Sequence, residues 1–174
     1  MRCTNPTRTI IDLAGVLDDE ALESAVESAR RRKLTTIAAV RDRQGRLGTQ
    51  GRRGSHRLLR ILDALEGTAP PESPLEVMVA RRLREGHIPP PVRQHVVVVF
   101  GRTNRLDFAW PAIRLALECK GKTYHDFQRD NERWRHLCAP GWRVLPVTWR
   151  DVTRDWQSIA NELQAAFSRA ASGW

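Results

Sequence analysis

Apolar positions recur at three- and four-residue spacing through the first third of the chain. In residues 4–35, Leu22, Ala25, Val26 and Ala29 share one helical face. Asp18 or Asp19 is placed to cap that helix, and Arg30 to Lys33 load its C-terminal end, as the helix dipole favours. A second helix is predicted over residues 35–43 and a third over residues 55–67, ending at Gly67. Between them "QGRLGTQGRRGSH" has no period and is rich in Gly and Arg, so it reads as a loop. The Pro-rich "TAPPESP" then marks a hinge between two parts of the chain.

Beyond the hinge the pattern changes. "SPLEVMVARRLREG" is a helix with Ser73 at the N-cap, Pro74 at the first helical position and Glu76 three residues after the cap. "RQHVVVVFG", "NRLDFAWP" and "AIRLALECKG" read as three consecutive strands, with turns at "GRTN" and at Pro111–Ala112. "DFQRDNERWRHLCAPG" is a helix, "WRVLPVTW" a fourth strand and "DVTRDWQSIANELQAAFSRA" a closing helix. The expected fold is therefore α/β. A small helical subdomain over residues 1–70 precedes a second domain, residues 71–174, built as helix, three strands, helix, strand and helix around a mixed central sheet.

Composition narrows the partner. The 174 residues carry a net charge of +9, most of the excess being arginine. That balance favours a polyanion, with nucleic acid ahead of an acidic protein or a membrane surface. From Arg30 to Arg60 there are eleven Lys or Arg and one acid, Asp42, and Arg52 and Arg53 sit in the loop of that stretch. A solvated surface and a phosphate-contacting surface both fit it. The three cysteines match no zinc or disulfide framework, which is the usage of a reducing cytoplasm. No apolar run approaches the ~18 residues of a membrane span.

The candidate chemistry lies at strand ends. Glu118 and Lys120 are two apart on the third strand and so point to one face, while Cys119 points to the other. Asp107 lies on the preceding arm of the Pro111 hairpin, where it can approach Glu118. Glu76 comes from the helix before the strands, and its capping-box spacing gives it a structural reading as strong as a ligand reading. Carboxylates converging at one place repel unless a cation sits between them. Oxygen donors of that kind suit Mg²⁺, with Mn²⁺ as its substitute, rather than zinc. A lysine beside them can stabilise charge developing on a phosphate, and His125, just beyond, can move a proton. Arg129, on the following helix, is placed for a phosphate contact. Together these groups are equipped to hydrolyse a phosphodiester bond. The tryptophans Trp110, Trp134, Trp142 and Trp149 read as core residues rather than a base-stacking platform.

The motif "LD" at 106–107 followed by "ECK" at 118–120, within this element order, resembles the PD-(D/E)XK nuclease superfamily. More narrowly, "SPLE", "RLDFAWP", "LALECKGKTYH", "RDNERW" and "GWRVLPVTWRDV" resemble the very-short-patch-repair-like (Vsr-like) endonuclease domain, over residues 73–167. Lys120 stands where that family usually has Asp, which brings the site closer to the orthodox nuclease motif. The resemblance implies a restriction-endonuclease-like core in which Asp107 and Glu118 hold the metal, Lys120 assists, and Glu76 and His125 complete the site. It implies DNA as the substrate, and a homodimer as the means of cutting two strands. The N-terminal part, "NPTRTIIDLAG" through "LLRILDAL", resembles the middle region of AbiEi-type antitoxin-like proteins, which implies a toxin–antitoxin or defence-system partner. The winged helix that often precedes that region is not expected here, and a repressor role loses its support with it. The expectation is a Mg²⁺-dependent DNA endonuclease. Its alternative is a non-catalytic DNA-binding or antitoxin-like interaction protein that keeps the fold.

Overall fold

A computed structural model describes residues 3–50, 52–121 and 134–172. The chain divides into two compact units, Met1–Pro74 and Leu75–Trp174.

The first unit holds four helices: α1 (Pro6–Leu13), α2 (Asp19–Arg31), α3 (Ile37–Leu47) and α4 (Ser55–Leu65). Three start on side-chain caps, where Asn5, Asp18 and Thr36 accept the N–H groups of Arg8, Ala21 and Ala39. The helical stretch expected over residues 4–35 is thus two helices, because the Asp18 cap begins a new one. Helix α3 also runs into the expected loop, to Leu47. Gln44 explains this: it is buried, and its Nε2 donates to the Gly48 carbonyl at 3.3 Å and to Ser55 Oγ at 3.0 Å. Those bonds hold the last turn of α3 against the start of α4. Ile11, Leu22, Val40, Leu58 and Leu62 form the centre of this unit's core.

The second unit opens with α5 (Pro74–Glu85), whose first residue is the last of the first unit. Its sheet has four strands, β1 (Val92–Val99), β2 (Arg102–Trp110), β3 (Leu115–Lys120) and β4 (Arg143–Thr148), in that spatial order. The β1–β2 and β2–β3 pairs are antiparallel and β3–β4 is parallel, so the sheet is mixed. A 3₁₀ turn at Pro111–Ile113 makes the β2–β3 connection. Residues 134–138 are helical, and two helices close the chain, α6 (Trp149–Arg154) and α7 (Trp156–Ala171). The single closing helix of the sequence reading is therefore broken at Asp155. A complete capping box, Thr148 with Asp151, fixes the start of α6 instead.

The sheet is covered on both faces, and the paired segments of its inner strands, residues 108–110 and 115–117, are apolar on both sides accordingly. On one face Phe108, Trp110, Leu117 and Val147 pack with Leu75, Val79 and Leu83 of α5, Val152 of α6 and Leu163 of α7. On the other, Leu106, Ala109 and Ala116 pack with Leu137 and Trp142. Strand β1 is an edge, and Val96 and Val98 along it are more than half exposed. Among the described residues no helix is long and apolar enough to cross a membrane.

Candidate functional site

The hairpin register brings the two motif carboxylates together. Phe108 pairs with Leu117, Ala109 with Ala116 and Trp110 with Leu115. One step further the same register sets Asp107 opposite Glu118, and there the ladder stops. The main-chain N–H of Cys119 donates instead to Asp107 Oδ2 at 2.8 Å. The Asp107 side chain thus occupies the gap where β2 and β3 part, and supplies the acceptor that β2 no longer offers.

Strand alternation puts Glu118 and Lys120 on the face of Ala116 and Cys119 on the face of Leu117. Glu118 is only 4% exposed although it stands two residues from the strand end. Lys120 Nζ lies 5.5 Å from the ring centroid of Trp134, on that same face. On β4, Glu118, Cys119 and Lys120 neighbour Pro146, Val147 and Thr148.

Glu76, 3% exposed, comes from the first turn of α5. Its Oε2 accepts from Gln94 Nε2 at 2.9 Å, so this carboxylate reaches strand β1 as well as standing at a helix start. The Cys119 thiol registers the convergence of these groups. Burial pushes its pKa up, and the negative charges of Asp107, Glu76 and Glu118 push it further, with Arg93 opposing them. Three carboxylates and one guanidinium therefore lie within electrostatic reach of a single sulfur. The described residues hold no cluster of three or more His, Cys, Asp or Glu in ligating arrangement. The donor set that remains is a pair of carboxylates with a third behind them, which fits a magnesium-type ion that keeps most of its water.

His125 and Arg129 lie outside the described residues. Arg52 is half-buried, with Nη1 4.0 Å from Asp12, whereas Arg53 is exposed and has no ion pair among the described residues. Much of the basic stretch around them is paired with acids of its own unit, mostly at the surface. Arg30 meets Glu27 at 2.7 Å, both buried, Arg41 holds Asp63 and Glu66, and Arg57 and Arg60 share Asp19. Arg32, Lys33, Arg43 and Arg53 remain as the exposed positive charges that make no ion pair among the described residues.

Two residues escaped the sequence reading. Gln94 bonds Glu76, and Arg93 lies over the Phe108 ring, 5.8 Å from its centroid. The available signal was a lone amide beside a run of valines.

No family model matches the chain, and no solved structure matches it. Two relatives from Mycobacterium tuberculosis, called Uncharacterized protein MT2308 (strain CDC 1551 / Oshkosh) and Uncharacterized protein Rv2248 (strain ATCC 25618 / H37Rv), are each 29% identical to it over 175 residues. The match covers 96% of this chain and 62% of each relative, so the chain spans less than two thirds of the length of the curated proteins it resembles.

Proposed function

We propose that this protein is a divalent-metal-dependent DNA endonuclease with a restriction-endonuclease-like core. The observation that carries this reading is the meeting of Asp107 and Glu118 where β2 and β3 separate, with Lys120 two residues on. Two adjoining carboxylates supply the hard oxygen donors that a divalent cation of the magnesium type takes. Asp107 and Glu118 would hold the ion, which supplies Lewis acidity toward a phosphoryl oxygen. Lys120 contributes a positive charge to the phosphate undergoing attack, and its Nζ stands over the Trp134 ring. Glu76 adds negative charge behind the pair, and Gln94 holds it in place. His125 is the proposed proton carrier. The net charge of +9 supports a polyanionic substrate, and Arg32, Lys33, Arg43 and Arg53 are exposed cations available to a backbone phosphate.

Supercoiled plasmid and single-stranded DNA, incubated with the protein in Mg²⁺, Mn²⁺ or EDTA, test the reading. Nicking that requires the metal and disappears in Asp107→Asn and Lys120→Ala is the expected result. No cleavage of either substrate, together with a melting temperature indifferent to Mg²⁺ and Mn²⁺, would refute it. DNA binding that persists under those conditions would then favour the interaction-protein reading.

A further inference from the structure

Strand β1 changes hand at one residue. Gln94 has φ +53°, a conformation that side chains other than Gly, Asn and Asp rarely adopt. The β1–β2 ladder pairs Arg93 with Phe108 and His95 with Leu106, which leaves Gln94 facing Asp107 between them. The alternation of both strands reverses there. Arg93 lies over Phe108 on the α5 side, whereas the His95 ring sits 5.7 Å from Trp142 on the opposite side. Leu106 and Phe108, two apart on β2, likewise belong to cores on opposite faces. The distortion therefore lies beside the first motif carboxylate.

The Gln94 side chain is held at one end only. Its Nε2 donates to Glu76, while its Oε1 is buried and has no hydrogen-bond partner among the described residues. Flipping the amide would set Oε1 against the Glu76 carboxylate, so the orientation is dictated by charge. A strained backbone and a buried orphan acceptor stand next to three carboxylates, where the water of a bound cation would supply the donor that Oε1 lacks.

We propose that Gln94 is a positioning residue of this site: its amide nitrogen fixes Glu76, and its amide oxygen accepts a hydrogen bond from the water shell of the bound divalent cation. The inference rests on the metal-dependent reading above. The orphan oxygen and the strained φ value are then two parts of one device, the second aiming the first.

Melting temperature as a function of Mn²⁺ concentration, measured on the full chain after EDTA treatment, is the test. Gln94→Gly accepts the positive φ and removes the amide. It should fold, and it should need about tenfold more Mn²⁺ for a half-maximal shift, the usual scale for losing an outer-shell partner. Gln94→Asn, which also tolerates this backbone but is one methylene too short to span both partners, should fall with it. Gln94→Glu restores an oxygen at full length and should recover the Mn²⁺ response from a lower metal-free melting temperature. Equal midpoints in wild type and Gln94→Gly would overturn the proposal while leaving the metal site standing. A wild type that never responds to Mn²⁺, and so cannot be told from Asp107→Asn, would overturn the site reading and this inference with it.

Discussion

Asp107 Oδ2 accepts the main-chain N–H of Cys119 at 2.8 Å, so the residue proposed for metal binding also ends the β2–β3 ladder. The two duties can be separated by substitution. Asp107→Asn keeps an acceptor for the Cys119 N–H and should cost less than about 1 kcal/mol of stability. Asp107→Ala leaves that donor without its partner and should cost about 1–3 kcal/mol. Both should abolish metal-dependent cleavage. Urea unfolding read beside a nicking assay checks the split, which fails if Asn destabilises as much as Ala.

The Cys119 thiol ties stability to alkaline pH. Its pKa is raised in the fold, so below the ordinary value near 9 the thiol is protonated whether the chain is folded or not. Above 9 the unfolded chain releases the proton and the folded chain keeps it. Stability therefore falls with rising pH, by about 1.4 kcal/mol per pH unit from this group alone. The difference between wild type and Cys119→Ala in urea series at pH 7 to 10.5 should be flat up to pH 9 and then slope. A difference that stays flat throughout would contradict the burial seen here. Iodoacetamide should reach Cys3 and Cys138, both exposed, well before Cys119.

Two glycines of the first unit should respond in opposite directions. A Cβ on Gly54 would stand 1.7 Å from the Ala14 carbonyl oxygen, at φ +82°. Gly54→Ala should cost more than about 3 kcal/mol and unfold much of the helical unit. Gly45 lies inside α3, where a Cβ meets nothing within 4 Å. Gly45→Ala should stabilise by about 0.5–1 kcal/mol. Denaturant midpoints of the two variants would show whether α3 and the Gly54 turn are packed as described.

The paired Asp107 and Glu118 were legible in the sequence because a Pro turn and strict two-residue alternation leave a hairpin little freedom in register. The shared face of Glu118 and Lys120 follows from that alternation alone. The Gln94 break was not legible. Nothing local requires a left-handed glutamine, and its partner Glu76 is eighteen residues away in sequence. The pairing of the arginines was hidden for a related reason. Between Arg30 and Arg60 the sequence offers one acid, whereas Asp12, Asp19, Asp63 and Glu66 come from outside that window and close the ion pairs only once the helices pack. The breaks at residues 14–18 and at Asp155 depend on where a cap wins over continued periodicity, and those contests are close.

The open side of β1 bears on how the protein behaves in a tube. Its exposed valines lead to Phe100, 76% exposed at the hairpin tip, with no charged side chain between Gln94 and Gly101. Such an edge invites pairing with another chain. Long-range repulsion between bodies of charge +9 opposes that pairing, and it reaches ~10 Å in 0.1 M salt and ~3 Å in 1 M. Raising the ionic strength should therefore promote self-association instead of relieving it, and light scattering should rise with added NaCl. Val98→Lys, which places a charge on the edge itself, should keep the protein dispersed at salt concentrations where the wild type has become turbid.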